Sequence, residues 1–233
     1  MKLIKRTFTL LIIILAAVGG FMLRGGFDKY TAALDEKPLD VAIAELTQKE
    51  NYTHRSNVPE IYFKALVAVE DRRFYKHNGF DIIGMGRAIY TDLKEKKLLE
   101  GGSTLTQQLA KNLYFPSDNT PDRKIAEILM AMKIEKEYTK EEILEFYVNS
   151  IYYGSGYYCI HDAADGYFNK EPSKMTDYEC TLLVGIPNAP SVYSLKVNPD
   201  LAHQRQKKVL SSMLEQNYIT EEEKNRILEN ATE

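Results

Sequence analysis

Along most of this chain, apolar residues return at the three- and four-residue spacing of a helix face, and no credible run of alternating strand positions intervenes. After Val58 and Pro59, which fit a helix start, Ile61, Ala65, Leu66 and Val69 repeat at that spacing toward Glu70. The pattern recurs at about 80–96, 104–114, 121–137, 139–152, 159–168, 175–185 and 199–216, with glycine and proline marking the breaks. The expected fold class is therefore all-α, without internal repeats or low-complexity segments.

The pattern changes at the N-terminus. Residues 7–23 form an uncharged run rich in Leu, Ile, Ala and Val, behind Lys2, Lys5 and Arg6. About 17 apolar residues is the short end of what spans a bilayer, and cations in front of such a run keep the N-terminus in the cytoplasm. The small residues Ala16, Ala17, Gly19 and Gly20 would suit a cleaved signal peptide, but the run continues through Phe21, Met22 and Leu23, so a retained anchor is the expectation. The expected organisation is a cytoplasmic tail at 1–6, a transmembrane signal anchor at 7–23, a polar stalk or linker at 24–49 whose one short amphipathic stretch at 39–46 is either part of the stalk or a first small helix, and one domain at 50–233.

Composition narrows the chemistry. The 233 residues are 44% hydrophobic and 27% charged, enough for one sizeable core. A formal net charge of -3 argues against nucleic acid as a partner, so any anion must be met by a local cluster of cations. The two cysteines, Cys159 and Cys180, show no zinc spacing, and separate buried thiols are expected over a disulfide.

That local cluster has a candidate. At 101–112, two glycines permit a tight turn, Ser103 or Thr104 can cap a helix, and Gln107 stands three residues after Thr104 as a capping box requires. Gln107, Gln108, Lys111 and Asn112 then occupy the first turns, where free N–H groups and the helix dipole favour an anion. Thr104, Gln107 and Lys111 share one face, and Leu105 and Leu109 another. Around this stretch stand two further candidates for chemistry. Glu70 and Asp71 close an apolar helix ahead of Phe74 and His77; either Glu70 is a base, since a carboxylate at the edge of an apolar pocket is a natural proton acceptor, or the two acids pair with Arg72, Arg73 or Lys76 on a solvated helix end. Arg123, Lys124 and Glu127 open another helix; they form either a surface ion pair or, with Lys111, a cradle for a diphosphate beside a second carboxylate. The helix at 140–152 ends in Gly154, Ser155 and Gly156, and the tyrosines at 152, 153, 157 and 158 either line a sugar groove or plug the core.

Four motifs carry a resemblance. Glu-Asp-x-x-Phe-x-x-His-x-Gly at 70–79, Gly-Gly-Ser-Thr-Leu-Thr-Gln-Gln-Leu-x-Lys-Asn at 101–112, Arg-Lys-x-x-Glu at 123–127 and Ile-Leu-Glu-x-Tyr-x-Asn-x-Ile-Tyr-x-Gly at 143–154 stand in the order found in bacterial peptidoglycan glycosyltransferases. Over roughly residues 50–215 the chain resembles the monofunctional, membrane-anchored members, with no room for the transpeptidase domain of class A penicillin-binding proteins. The resemblance implies a lysozyme-like, two-lobed helical fold with a membrane-proximal jaw. It implies polymerisation of lipid II with inversion at the anomeric carbon and loss of undecaprenyl pyrophosphate, at the outer face of the bacterial cell membrane.

By position, Glu70 corresponds to the general base and Glu127 to the second glutamate near the donor. Lys111, Arg123 and Lys124 match residues that face the pyrophosphate, with Ser103, Thr104, Gln107, Gln108 and Asn112 lining the same site, and Asp71, Phe74 and His77 match residues that shape the cleft. A divalent cation, Mg2+ or Mn2+, is the implied cofactor, with no organic cofactor; lipid II, the growing glycan, the membrane and other cell-wall synthesis proteins are the implied partners. Two positions depart from the family pattern: Val148 stands where Leu is usual, and Cys159-Ile160-His161 stands where Tyr-Gly-Ile-Glu is common. Ile82, Ile83 and Met85, with Lys94, Lys96 and Lys97 behind them, fit either a jaw surface meeting an anionic bilayer or a plain amphipathic helix.

Two rivals share parts of this pattern. One is a lysozyme-like lytic glycosidase using Glu70 as acid; against it, a hydrolase of neutral glycan needs no diphosphate cradle. The other is an inactive cell-wall scaffold that works through its anchor.

Overall fold

The computed structural model describes residues 2–95, 101–116, 118 and 120–229, and their side chains except at 2–6, 8, 10–13, 15, 89, 92 and 95. All regular structure among them is helical. In chain order the helices are α1 (Lys2–Glu36), α2 (Leu39–Thr47), α3 (Glu60–Glu70), α4 (Ile82–Glu95), α5 (Leu105–Tyr114), α6 (Arg123–Glu137), α7 (Lys140–Val148), α8 (Ile160–Phe168), α9 (Asp177–Gly185), α10 (Pro190–Tyr193), α11 (Pro199–Glu215) and α12 (Glu221–Glu229).

Helix α3 is the axis of the core. Tyr62, Phe63, Ala65, Leu66, Val67 and Ala68 are apolar on every side of it, and a helix of that kind must be surrounded. Helices α9 and α11 cover it, and the Tyr62 hydroxyl meets the Tyr153 hydroxyl at 2.7 Å inside the protein. The surrounded axis ends at Glu70, so the core itself fixes where that carboxylate emerges. A second packing unit sets α5 against α6 and α7, with Leu105, Leu109 and Ala110 inward.

The helix pattern locates most of these elements to within a few residues. Helix α7 stops at Val148 instead of continuing to 152, because the Asn149 side chain takes over the hydrogen bonding: it accepts from the Thr53 N–H and donates to the carbonyls of Thr53 and Glu145, each at 2.8 Å. Helix α12 was not expected, since only Ile227 of it is buried. Its start signal is local: Glu223 and Thr220 cap one another reciprocally.

The core reaches further toward the N-terminus than residue 50. Leu39, Ile43 and Leu46 form a stripe at helical spacing that enters the core, and Tyr30, Ala33 and Leu34 of α1 pack against it. The stretch read as a stalk or first small helix is largely helical, with α2 at its amphipathic part, and it packs on the core. Among the described residues no helix is long and apolar enough to cross a membrane; the positions 8, 10–13 and 15 of the 7–23 run lie outside the side-chain description. Lys96 and Lys97 lie outside the described residues, whereas Ile82, Ile83, Tyr90 and Leu93 stand exposed on α4. Cys159 and Cys180 are both free and buried, and burial pushes the Cys159 thiol up to about 11.

Candidate active site

Four chain segments converge where α3 ends. The Thr104 hydroxyl accepts from the Gln107 N–H while the Gln107 side chain accepts from the Thr104 N–H, which starts α5 beside Glu70. Thr104 therefore faces inward, donating its hydroxyl to the Gly79 carbonyl, and Gln108 one turn on is the residue that reaches the carboxylate. Gln108 Nε2 donates to Glu70 Oε2 at 3.2 Å, and its own Oε1 accepts from the Tyr147 hydroxyl at 3.0 Å. From α11, Arg205 Nη2 donates to Glu70 Oε1 at 3.3 Å. Glu70 thus sits among polar and cationic groups instead of against the apolar wall suggested by its sequence neighbours.

Beside Glu70 opens a cavity of about 310 Å³, lined by Ser103, Gln107, Gln108, Lys111, Arg123, Lys124, Glu127 and Asn188. Its cations come from two helices. Lys124 Nζ donates to Ser103 Oγ at 2.6 Å and lies 3.0 Å from Glu127 Oε2. Arg123 Nε lies 2.9 Å from Glu127 Oε1, a charge contact whose N–H is not aimed at that oxygen. Glu127 itself is only 2% exposed. Lys111 has no carboxylate partner among the described residues, so its charge is open to the cavity.

A second cavity of about 310 Å³ shares Gln108, Lys111, Pro187 and Asn188 with the first and runs past Asn112 to Tyr152. Asn112 belongs to this extension and does not line the first cavity. Tyr152 stacks obliquely on the exposed Tyr158, with ring centroids 4.7 Å apart, while Tyr153 is wholly buried. The tyrosines accordingly divide between a surface platform and a core plug. A recess of about 60 Å³, which shares Glu70, Gly101 and Asn188 with the first cavity, gathers Arg72, Arg87, Arg205 and Lys208. None of these four stood out in the sequence as a site residue. For Arg205 a signal existed: it stands on the buried stripe of α11 between Ala202 and Val209, a place where an arginine needs a partner.

Asp71, Phe74 and His77 are not open to the main cavity. Each is under 10% exposed. Asp71 Oδ2 accepts from the Leu105 N–H at 3.0 Å and meets His77 Nε2 at 2.9 Å. The Gly79 N–H donates to His77 Nδ1 at 3.2 Å, so the proton sits on Nε2 and points at Asp71. Lys140 Nζ, held 2.7 Å from Glu135, donates to the His77 carbonyl and lies 4.3 Å from the Phe74 ring centroid. These residues hold the first turn of α5 against the end of α3, since their polar atoms are consumed by one another.

Gly79 allows the tight fit of this loop. Its φ is +87°, and a Cβ there would meet the Ala131 carbonyl carbon and oxygen at 2.8 Å. Gly79→Ala is expected to cost about 2 kcal/mol, seen as a lowered denaturation midpoint, because both the backbone conformation and the approach to α6 suffer.

The site assembled at the end of α3 is thus a carboxylate flanked by cations that separate helices of an all-helical domain bring together. The comparisons agree in kind: the transglycosylase family model matches residues 38–214, and the chain belongs to that family. It is 41% identical over 204 residues to a putative transglycosylase of Cupriavidus necator, covering 88% of this chain and 87% of that protein. It is 43% identical over 168 residues to penicillin-binding protein 1F of Bacillus subtilis and 42% identical over 181 residues to penicillin-binding protein 1A of Neisseria lactamica. These cover 72% and 78% of this chain but only 24% and 23% of those proteins, so the chain spans about a quarter of their length.

Proposed function

We propose that this domain polymerises lipid II into peptidoglycan glycan strands, inverting the anomeric carbon and releasing undecaprenyl pyrophosphate. The observation that carries this reading is the placement of Lys111, Arg123 and Lys124 around one cavity whose wall includes Glu70. When the bond between sugar and diphosphate breaks, charge develops on the leaving group, and cations already in place stabilise it without reorganisation. Glu70 takes the proton of the acceptor's 4-hydroxyl as that oxygen attacks, with Gln108 and Arg205 fixing the direction of its lone pairs. Glu127, with both oxygens engaged by Arg123 and Lys124, acts by placing those cations.

The two basic recesses flanking Glu70 suit the two lipid-linked diphosphates that must meet there, the donor on the Lys111 side and the acceptor on the Arg72 and Arg87 side. The groove toward Tyr152 suits the sugars of the growing strand. The exposed apolar residues of α4 suit a lysozyme-like jaw resting on the membrane, and the 7–23 run a single-pass anchor that leaves the domain outside the cell, among other wall-synthesis proteins. A divalent cation, Mg2+ or Mn2+, would add charge neutralisation for the departing diphosphate. Among the described residues no group of three from His, Cys, Asp and Glu is placed to hold a metal ion, and Asp71 is committed to Leu105 and His77.

Incubation of the purified protein with labelled lipid II tests the reading. Lengthened glycan supports it. Shortening of preformed glycan without lipid consumption would replace it with a lytic enzyme, and no reaction alongside partner binding would replace it with a scaffold. In the same assay Lys111→Ala is expected to raise the KM for lipid II about tenfold, through loss of one charge-assisted contact to the diphosphate. An unchanged KM and kcat would remove Lys111 from the donor site.

A further inference from the structure

The first turn of α6 carries Arg123 and Lys124, yet this turn lacks the local cap that α5, α7 and α9 possess. Those three helices each start with a threonine and a glutamine or glutamate capping one another, whereas Asp122, at the start of α6, makes no side-chain capping bond. Something else must hold the approach to α6. The tie comes from the N-terminal helix. Lys29 of α1 pairs with the Asp118 carboxylate, donates to Thr120 Oγ1 at 2.8 Å and lies 3.7 Å from Asp122 Oδ2.

Asp118 is the knot of this segment. Its Oδ1 accepts from both the N–H and the hydroxyl of Thr120, at 2.8 and 2.6 Å, while Lys29 holds Oδ2. Its backbone carbonyl accepts from Arg123 Nη1, and the same guanidinium meets Glu127 through Nε. Lys29, Asp118, Arg123 and Glu127 are therefore one continuous chain of contacts from the N-terminal helix into the cavity. The hydrogen bond from Lys29, followed by those from Thr120, holds the Asp118 carboxyl down at about 2. The two helices also meet without a spacer. A Cβ on Gly26 would stand 2.5 Å from the Ile125 Cβ and 2.9 Å from the Asp122 carbonyl oxygen.

We infer that Lys29 is a positioning residue of the donor site: through Asp118 it fixes the Arg123 guanidinium, so that the seating of α1 on α6 sets the affinity for the diphosphate. The inference rests on the donor reading above. Its consequence is that the N-terminal helix, beyond any role in anchoring, is part of the binding apparatus. A tie of two part-buried groups preorganises a cation that would otherwise lose rotamer freedom on each binding event.

The test uses the full chain in detergent and reads binding of farnesyl pyrophosphate, together with KM and kcat for lipid II. Lys29→Ala is expected to weaken farnesyl pyrophosphate binding about fivefold and to raise KM in parallel, with kcat within about twofold, and Lys29→Arg is expected to restore both. Gly26→Leu, which drives α1 off α6 with Lys29 still present, is expected to reproduce the loss. Binding by the wild type that is unchanged in Lys29→Ala overturns the inference alone. A loss that Lys29→Arg fails to restore, with kcat falling alongside, also overturns it, because that is the mark of a general structural lesion. Absence of binding by the wild type overturns the donor reading and this inference together.

Discussion

Glu70→Gln is expected to lower kcat for glycan polymerisation about a thousandfold while the helical fold stays intact. Glutamine matches glutamate in size and keeps an oxygen for Arg205 to donate to, but it cannot accept a proton from the attacking hydroxyl, and loss of a positioned base costs about 10²–10⁴ in rate. The side chain is not an idle cleft carboxylate. It is 13% exposed and paired with an Arg205 side chain that is 8% exposed, so removal of the oxygen altogether strands a nearly buried cation. Glu70→Ala should therefore cost stability as well as rate, whereas Glu70→Gln should change the melting temperature by only about 2 °C. The measurement is initial rate on labelled lipid II beside thermal denaturation of both variants. A glutamine variant within tenfold of wild-type kcat would show that the proton goes elsewhere.

The comparison of the two variants depends on a contact that the sequence conceals. Glu70 and Arg205 are 135 positions apart. The apolar spacing of α3 and α11 shows that each helix has an inward face, but not that the two inward faces meet. For the same reason Lys29 reads as one charge in a polar stretch, until α1 is laid on α6. What was legible follows from local rules at the capping box of Thr104 and Gln107 and in the apolar surround of Leu66 and Leu109, and from the two ordered motifs at 101–112 and 123–127 for the grouping of Lys111, Arg123 and Lys124. What was not legible is which polar residues turn inward. Asp71 and His77 have the chemistry of a cleft and sit beside one, yet their atoms are spent on a backbone N–H 34 positions away and on each other.

That inward pair carries the second large expectation. In Asp71→Ala the Leu105 N–H, at the first turn of α5, and the His77 Nε2 proton lose their acceptor inside a region less than a tenth exposed. Unsatisfied buried donors cost about 1–3 kcal/mol each, so a loss of about 3 kcal/mol is expected, equivalent to a drop of roughly 6–12 °C in melting temperature for a domain of this size. Asp71→Asn should lose only about 1 kcal/mol, because an amide oxygen in the place of Oδ2 still accepts from both donors. Since the turn held by Asp71 also begins the helix bearing Gln108 and Lys111, the alanine variant should bind lipid II more weakly even at temperatures where it is folded. Denaturation curves of the two variants decide the matter: equal stability for alanine and wild type would mean that Asp71 does not hold α5 in place, and that its carboxylate serves the cleft after all.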